Sequence, residues 1–412
     1  MLSRNWRGVL AGQHPVWMCG MRPFFLLTAL SAPLLMSLWS AFLALGLPLP
    51  AVSGGPFIWH AHELFFGFAL AAVAGFLLTV VPEFTATADF TPHAVRRLVG
   101  LWLLGRVAFW CSGVIGAPAL VLSALVHLGL LGGLAMLAVP RLWRDPERKH
   151  LEFLWVLAAL ALCVAGFYID ALRGVYPGHW LYAALGVLMI LIVVTMSRIS
   201  MRIVNGAIEE AGLIGVEYRT RPPRRNLVVF LIGLYTLAEF FAPGERFCGW
   251  LALAAAAALL NLLSDWHIGR VLLRRWVLML YGVYVLMAAG YATMGLSLVL
   301  GGGAFSAGRH LITVGALSLN IFVVINIAGR MHCGHDLDER YWLPLGATMV
   351  VIAAVLRAST AWSSDNSPVL LLVAALMWSV AFMLCAWYMA SILFSMRNDG
   401  GRGCKGLTES SN

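Results

Sequence analysis

The chain has 412 residues, of which 61% are hydrophobic and only 11% charged, with a formal net charge of +9 and a mean hydropathy of +0.85. Soluble domains run at roughly 45–50% apolar and about 25% charged, so a soluble enzyme, a disordered tail, a secreted disulfide scaffold and a fibrous chain are excluded. What remains is an all-α polytopic membrane protein whose arginines report topology rather than affinity for nucleic acid.

A helix needs about 20 apolar residues to cross the hydrocarbon core. Twelve such runs are predicted, at about 24–46, 57–81, 97–115, 118–139, 151–171, 180–196, 227–242, 247–264, 276–298, 310–329, 341–358 and 368–395. Residues 1–22 hold polar and basic breaks and no cleavable apolar segment, which predicts an uncleaved chain. With both termini placed in the cytoplasm, 23 of the 28 lysines and arginines fall on inside segments and 3 (Arg173, Arg246, Arg309) on outside ones; Arg106 and Arg357 lie within spans. One missed span would invert every later loop and destroy that contrast. The expected fold is therefore a single bundle of twelve transmembrane helices, residues 1–412, with both termini inside. Loop 197–226 divides it six and six; its middle reads as a short amphipathic surface helix and RTRPPRR as a basic linker. The halves show no convincing sequence repeat.

Ionisable residues in lipid are costly and face the bundle interior. His60 and His62 lie just inside the outer end of span two, in FIWHAHELFFGF; His179 opens span six and His310 opens span ten. Three helices thus bring imidazoles to one outer level. His60 and His62 differ by about 200° around a helix, so both cannot face one centre unless the helix is unwound, while His60 and Glu63 share a face. These residues are read as candidate metal or cofactor ligands (His60, His62, His179, His310 and Glu63), against a plainer reading as interfacial hydrogen-bonding groups. Arg309 is a fixed cation next to His310 and suits an anionic cofactor edge. Arg106 and Arg357 each need a carboxylate, a carbonyl or a cofactor carboxylate, with Glu63, Glu239 and Asp170 as candidate partners. His127 is mid-span, either packed alone or an internal haem ligand.

A second cluster, Arg330, His332, Cys333, His335, Asp336 and Asp338, sits in a cytoplasmic loop. His332, Cys333 and His335 could bind copper or zinc, but a solvated charged loop reads the same way. The seven cysteines contain no CxxC, which predicts neither a disulfide framework nor a thiolate zinc site.

Several strings resemble the NnrS family: Arg22-Pro23-Phe24-Phe25, His60-Ala61-His62-Glu63-Leu64-Phe65-Phe66-Gly67-Phe68, Ala74-Gly75-Phe76-Leu77-Leu78-Thr79, Gly105-Arg106, and Arg309-His310-Leu311-Ile312-Thr313-Val314-Gly315-Ala316. The likeness covers nearly the whole chain. It implies a bacterial inner-membrane protein holding haem b and copper, linked to nitric oxide metabolism and nitrosative stress. Carried over, the motif histidines fall on His60, His62, His310 and His335, and the arginines on Arg106, Arg309 and Arg330. The sequence departs from the family pattern at Glu83-Phe84-Thr85 and at Asp336-Leu337-Asp338. Haem b would take axial imidazoles from facing helices, with His62 and His310 the expected pair, His60 the substitute, and Arg309 and Arg106 at its edge. Copper would fall to His60, His179 and Glu63.

Nitric oxide or a related small ligand is then the expected partner, with reduction as the sharper case. The lipid bilayer is a second partner and a membrane or soluble electron donor a third; nucleic acid is not expected. Two other classes compete: a transporter for a metal or small anion, and a non-catalytic cofactor-binding sensor or assembly factor for another nitrogen-oxide enzyme.

Overall fold

The structure is a computed structural model that describes residues 14–146, 150–363, 366–401 and 403–404. Arg4, Arg7, Arg148, Lys149, Arg402 and Lys405 of the charge tally lie outside the described residues. Within those residues the regular elements are all helical. The long helices are α1 (Met21–Leu45), α2 (Gly55–Phe84), α3 (Pro92–Trp110), α4 (Ala117–Arg144), α5 (Glu152–Leu172), α6 (Gly178–Glu210), α7 (Pro222–Phe241), α8 (Arg246–Leu263), α9 (Arg275–Leu300), α10 (Phe305–Met331), α11 (Trp342–Ser359) and α12 (Ser367–Phe394). Each predicted run falls on one of them.

Ten of these helices are long and apolar enough to cross a membrane. The exceptions are α3 and α7, of 19 and 20 residues. Each carries three ionised side chains, Arg96, Arg97 and Arg106 in one and Arg224, Arg225 and Glu239 in the other. The boundaries follow ordinary helix chemistry. Thr91 Oγ1 accepts from the Ala94 N–H at 3.3 Å before Pro92 opens α3. Gly46 (φ 65°) and Gly301 (φ 73°) end α1 and α9 in the left-handed conformation that only glycine adopts cheaply. The separate surface helix expected within 197–226 is not there. Residues 197–210 continue α6 to 33 residues, because no proline interrupts them and the stop comes only near Gly212 (φ 67°).

The chain forms two units: residues 1–181, 324–340 and 382–412 in the first, and 182–323 and 341–381 in the second. The two most enclosed helices are α2, 89% buried over its apolar window, and α10, 78% buried. Polar side chains on them can be hidden from lipid.

Both of these helices break the α pattern at the same point. α2 is α-helical to His62, π-helical over Glu63–Ala69, then α-helical again; α10 is α-helical to His310, π-helical over Leu311–Leu317, then α-helical again. A constant shift relates Gly55, Phe57, His62 and Gly67 to Gly303, Phe305, His310 and Gly315. The neighbours repeat too. α1 and α9 precede the broken helix and end in a left-handed glycine. α3 and α11 follow it, with Arg106 and Arg357 near their C-terminal ends. α4 and α12 are both 28 residues long with proline second, Pro118 and Pro368. A four-helix module is thus present twice. Side chains repair the backbone loosened by the π turns: Trp102 Nε1 donates to Gly67 O at 3.0 Å, and Ser318 Oγ donates to Thr313 O at 2.9 Å.

A buried polar ring as the candidate functional site

The first π segment sets Glu63 at its start, one residue after His62. Three neighbouring helices complete a closed ring of side chains around the pair. Glu63 Oε1 accepts from His62 Nδ1 at 3.0 Å. His62 Nε2 accepts from the Tyr168 hydroxyl of α5 at 2.8 Å. Tyr168 Oη lies 3.1 Å from His127 Nδ1 of α4. His127 Nε2 accepts from Arg106 Nη2 of α3, and Arg106 Nη1 returns to Glu63 Oε1 at 3.3 Å. Ser123, one turn before His127, adds its hydroxyl 2.7 Å from Tyr168 Oη and donates to Gly105 O at 3.2 Å.

The bonding fixes the protons. His127 Nδ1 faces the Ser123 carbonyl at 2.7 Å, so it carries the hydrogen and Nε2 is the acceptor. His62 Nδ1 faces a carboxylate and donates, leaving Nε2 to accept from Tyr168. Both imidazoles are neutral, and the Glu63 and Arg106 charges cancel. His62, Glu63, His127, Tyr168 and Ser123 are all at most 1% exposed. Phe109 lies flat on His62 at 3.5 Å, and Phe66 and Phe167 close two more sides. Two glycines make room. A Cβ on Gly67 would stand 2.6 Å from Arg106 Nη1, and one on Gly105 would stand 2.8 Å from His127 Cε1. Glu63 Oε2, Arg106 Nε and Arg106 Nη1 are buried without a hydrogen bond, so the link from Arg106 to Glu63 that closes the ring is an ion pair.

The other expected residues lie outside the ring. His60 points away from His62, as the 200° step requires, and is half-buried against Trp39 of α1 at 4.2 Å. His179 Nε2 pairs with Asp170 Oδ2 at 3.2 Å, beside the 2.7 Å bond from Trp180 Nε1 to the same oxygen; this joins the end of α5 to the start of α6. His310 belongs to the second unit, and its Nδ1 donates to Ser306 O at 2.7 Å. Arg309 pairs with Glu239 of α7 and lies 3.5 Å over the Tyr182 ring. Of the two intramembrane arginines, Arg106 finds the expected Glu63, whereas Arg357 bonds Thr360 Oγ1 at 2.9 Å near the end of its own helix.

The residues of the loop after α10 diverge instead of converging on a point. His332 Nδ1 donates to Cys404 O, and its Nε2 lies 3.5 Å from Glu83 Oε2. Arg330 binds Asp336 O at 2.6 Å and Asp338 Oδ2 at 3.3 Å. Burial, then Arg330 beside it, lowers the pKa of His335; burial raises that of the Cys333 thiol. Among the described residues no group of three or more His, Cys, Asp and Glu is placed to hold a metal. Contrary to the cysteine reading, Cys19 and Cys404 are joined in a disulfide.

The model of the NnrS protein family matches residues 15–397. The chain belongs to the NnrS family. It is therefore a membrane protein linked to the nitric oxide response. No curated protein matches the sequence. In this NnrS protein the resembling strings of the first unit meet in space. A Cβ on Gly75 would stand 2.8 Å from Phe25 and 3.0 Å from Phe24, so the early Phe-Phe pair packs into the notch after the first π segment. Buried Arg22 donates to Ser395 O at 2.5 Å and Leu393 O at 3.3 Å, capping the end of α12. Sequence reasoning missed Ser123 and Tyr168. The only signal for Ser123 was its position four residues before His127, on the same helix face.

Proposed function

We propose that this protein crosses the bacterial inner membrane twelve times with both termini inside, and that it holds haem b and copper and handles nitric oxide. The observation that carries the cofactor reading is the contrast between the two module histidines. Both nitrogens of His62 are bonded and its face is covered by Phe109, so His62 does not fit an axial ligand as it stands. Its counterpart His310 has its Nδ1 on the Ser306 carbonyl, the kind of bond that holds a ligating imidazole in one tautomer. His310 is thus the residue of choice for the haem iron, and His60, half-buried against Trp39, is the first-unit candidate for haem or copper. Arg309 pairs with Glu239 through Nη2, so as a propionate partner it would use its remaining donors.

When bound, haem iron supplies an open or exchangeable position for a diatomic ligand. In the second unit the Ser306 carbonyl holds the His310 imidazole in one tautomer. In the first unit the aromatic wall around His62 keeps water out of the polar ring. Reduction of nitric oxide would also need electrons from a separate membrane or soluble donor.

The test is haem and metal analysis of purified protein, with absorption and paramagnetic resonance spectra of single variants. His310→Ala and His60→Ala are expected to lose or shift the Soret band, while His62→Ala keeps it. A native spectrum in His310→Ala overturns the assignment. The duplicated broken helices also favour a second reading, a transporter for a metal or small anion, since internal repeats with interrupted helices build transport sites. Protein free of haem that drives uptake into proteoliposomes would decide for it.

A further inference from the structure

We propose that Cys19 and Cys404 form a reversible thiol–disulfide switch that fastens the C-terminal segment to the start of α1. Their Cα atoms are 5.1 Å apart across 385 residues of sequence. The surroundings form a socket for the segment independently of the bond. Cys404 N donates to Asp89 Oδ2 at 3.0 Å, and Cys404 O accepts from His332 Nδ1. Arg397 Nη1 donates to His332 O at 2.9 Å and to Gly403 O at 3.3 Å, and its Nη2 donates to Asp399 Oδ2 at 2.5 Å. Asn398 N donates to Cys333 O at 3.1 Å. Gly403 (φ 82°) fits only as glycine, because a Cβ there would stand 1.7 Å from Asp89 Oδ2. The segment is thus built to dock on the loop after α2, the loop after α10 and the start of α1.

The inference rests on the topology proposed above, which puts this end of the helices in the cytoplasm. Thiols there are kept reduced, and a disulfide on that side is transient or redox-sensing rather than structural. The exchange partner is a small-molecule disulfide of the glutathione class. One cysteine thiolate attacks a sulfur of that disulfide and expels one thiolate. The second cysteine loses its proton and attacks the mixed disulfide, closing the Cys19–Cys404 bond and expelling the other. Two electrons pass from the cysteine pair to the small disulfide, and two protons end on the two small thiols. Cys333 is the neighbouring thiol, but burial raises its pKa and makes it a poor competitor. With Cys19 1% and Cys404 3% exposed, reopening goes through release of the docked segment, which the polar contacts alone then hold.

The test uses the full-length protein in native membranes. Cells are quenched with an alkylating reagent, and remaining thiols are counted by gel shift with a polymer-tagged maleimide, for wild type and for Cys19→Ser and Cys404→Ser. All seven wild-type thiols should be free in growing cells, and six in each serine variant. The Cys19–Cys404 pair should close on incubation with glutathione disulfide and reopen with glutathione. Reduction should speed hydrogen exchange of the Asn398 and Cys404 amides by at least about tenfold, because local opening of the segment is then opposed by the polar contacts alone. Cys404→Ser should match the reduced wild type in both exchange and melting temperature. A pair found bonded in growing cells overturns the switch, and so does one that glutathione disulfide cannot close. Labelling of reduced Cys19 by an impermeant maleimide added outside intact cells would show that the topology, rather than the thiol chemistry, had failed.

Discussion

Tyr168 gives its only proton to His62 Nε2, and its oxygen stands 2.7 Å from the Ser123 hydroxyl and 3.1 Å from His127 Nδ1. Tyr168→Phe keeps the ring of carbons and removes every one of those bonds, leaving a buried imidazole acceptor without a donor. The expected loss is about 1–3 kcal/mol of stability, read as a lowered unfolding midpoint in detergent; an unchanged midpoint would mean the ring is not closed through Tyr168. Removing a charge is harsher. Arg106→Met should cost about 3–5 kcal/mol, because Glu63 loses the cation that compensates its burial and must stay charged or take up a proton, and adding Glu63→Gln should restore part of it. The midpoints of the two single variants and the double variant give the coupling. The sequence made His62, Glu63 and Arg106 conspicuous, because each is expensive in an apolar span. It left Tyr168 and Ser123 silent, because a hydroxyl in such a span is cheap and its partner is set by which helices touch. The same gap hid the fate of His62. Its spacing suggested a ligand, and only the placement of α5 shows its second nitrogen already bonded.

Helix positions were legible from hydrophobic runs, and every predicted span falls on a long helix. The π segments were not, since a seven-residue change of hydrogen-bond register leaves composition and apolar pattern untouched. The module repeat escaped for a related reason. It survives in a few glycines, a histidine, an arginine and a proline at matched places, while the packing residues between them have diverged. The two π segments also differ in how tightly they are engaged. A Cβ on Gly67 meets Arg106 Nη1 at 2.6 Å, but one on Gly315 meets Ala354 Cβ at 3.2 Å and Leu286 methyls at 3.3 Å. Gly67→Ala should therefore displace the Arg106–Glu63 pair and cost about 1–3 kcal/mol, with Gly315→Ala nearer the low end of that range. Unfolding midpoints of the two variants would check the order, and equal midpoints would deny that Gly67 is there to seat the arginine.

At the scale of the whole chain, the arginine bias spoke for topology, and the residues it sends to the inner side include those that join the two ends of the molecule. Arg22 caps α12, and the segment after α12 returns to Asp89, His332 and Cys19. None of this was readable from cysteine spacing, because partners so far apart leave no local pattern. The segment's own hinge is the Arg397–Asp399 pair. Two bonds from Arg397 and one from the Gly401 N–H hold the Asp399 carboxyl well below the usual carboxylate range. A carboxylate depressed on folding contributes stability that is present above its unfolded pKa and is lost as pH falls through the folded one. The docked segment should therefore keep full protection from neutral pH down to the ordinary carboxylate pKa and lose it progressively below that, the loss complete once Asp399 is protonated in the docked state. The cleanest measurement is hydrogen exchange of the Gly401 and Cys404 amides in Cys404→Ser, where no cross-link masks the polar contacts. Asp399→Asn in that background should raise exchange already at neutral pH and flatten the acid dependence. If exchange instead climbs between neutral pH and the ordinary carboxylate range in the parent protein, a histidine in the socket, and not Asp399, governs the docking.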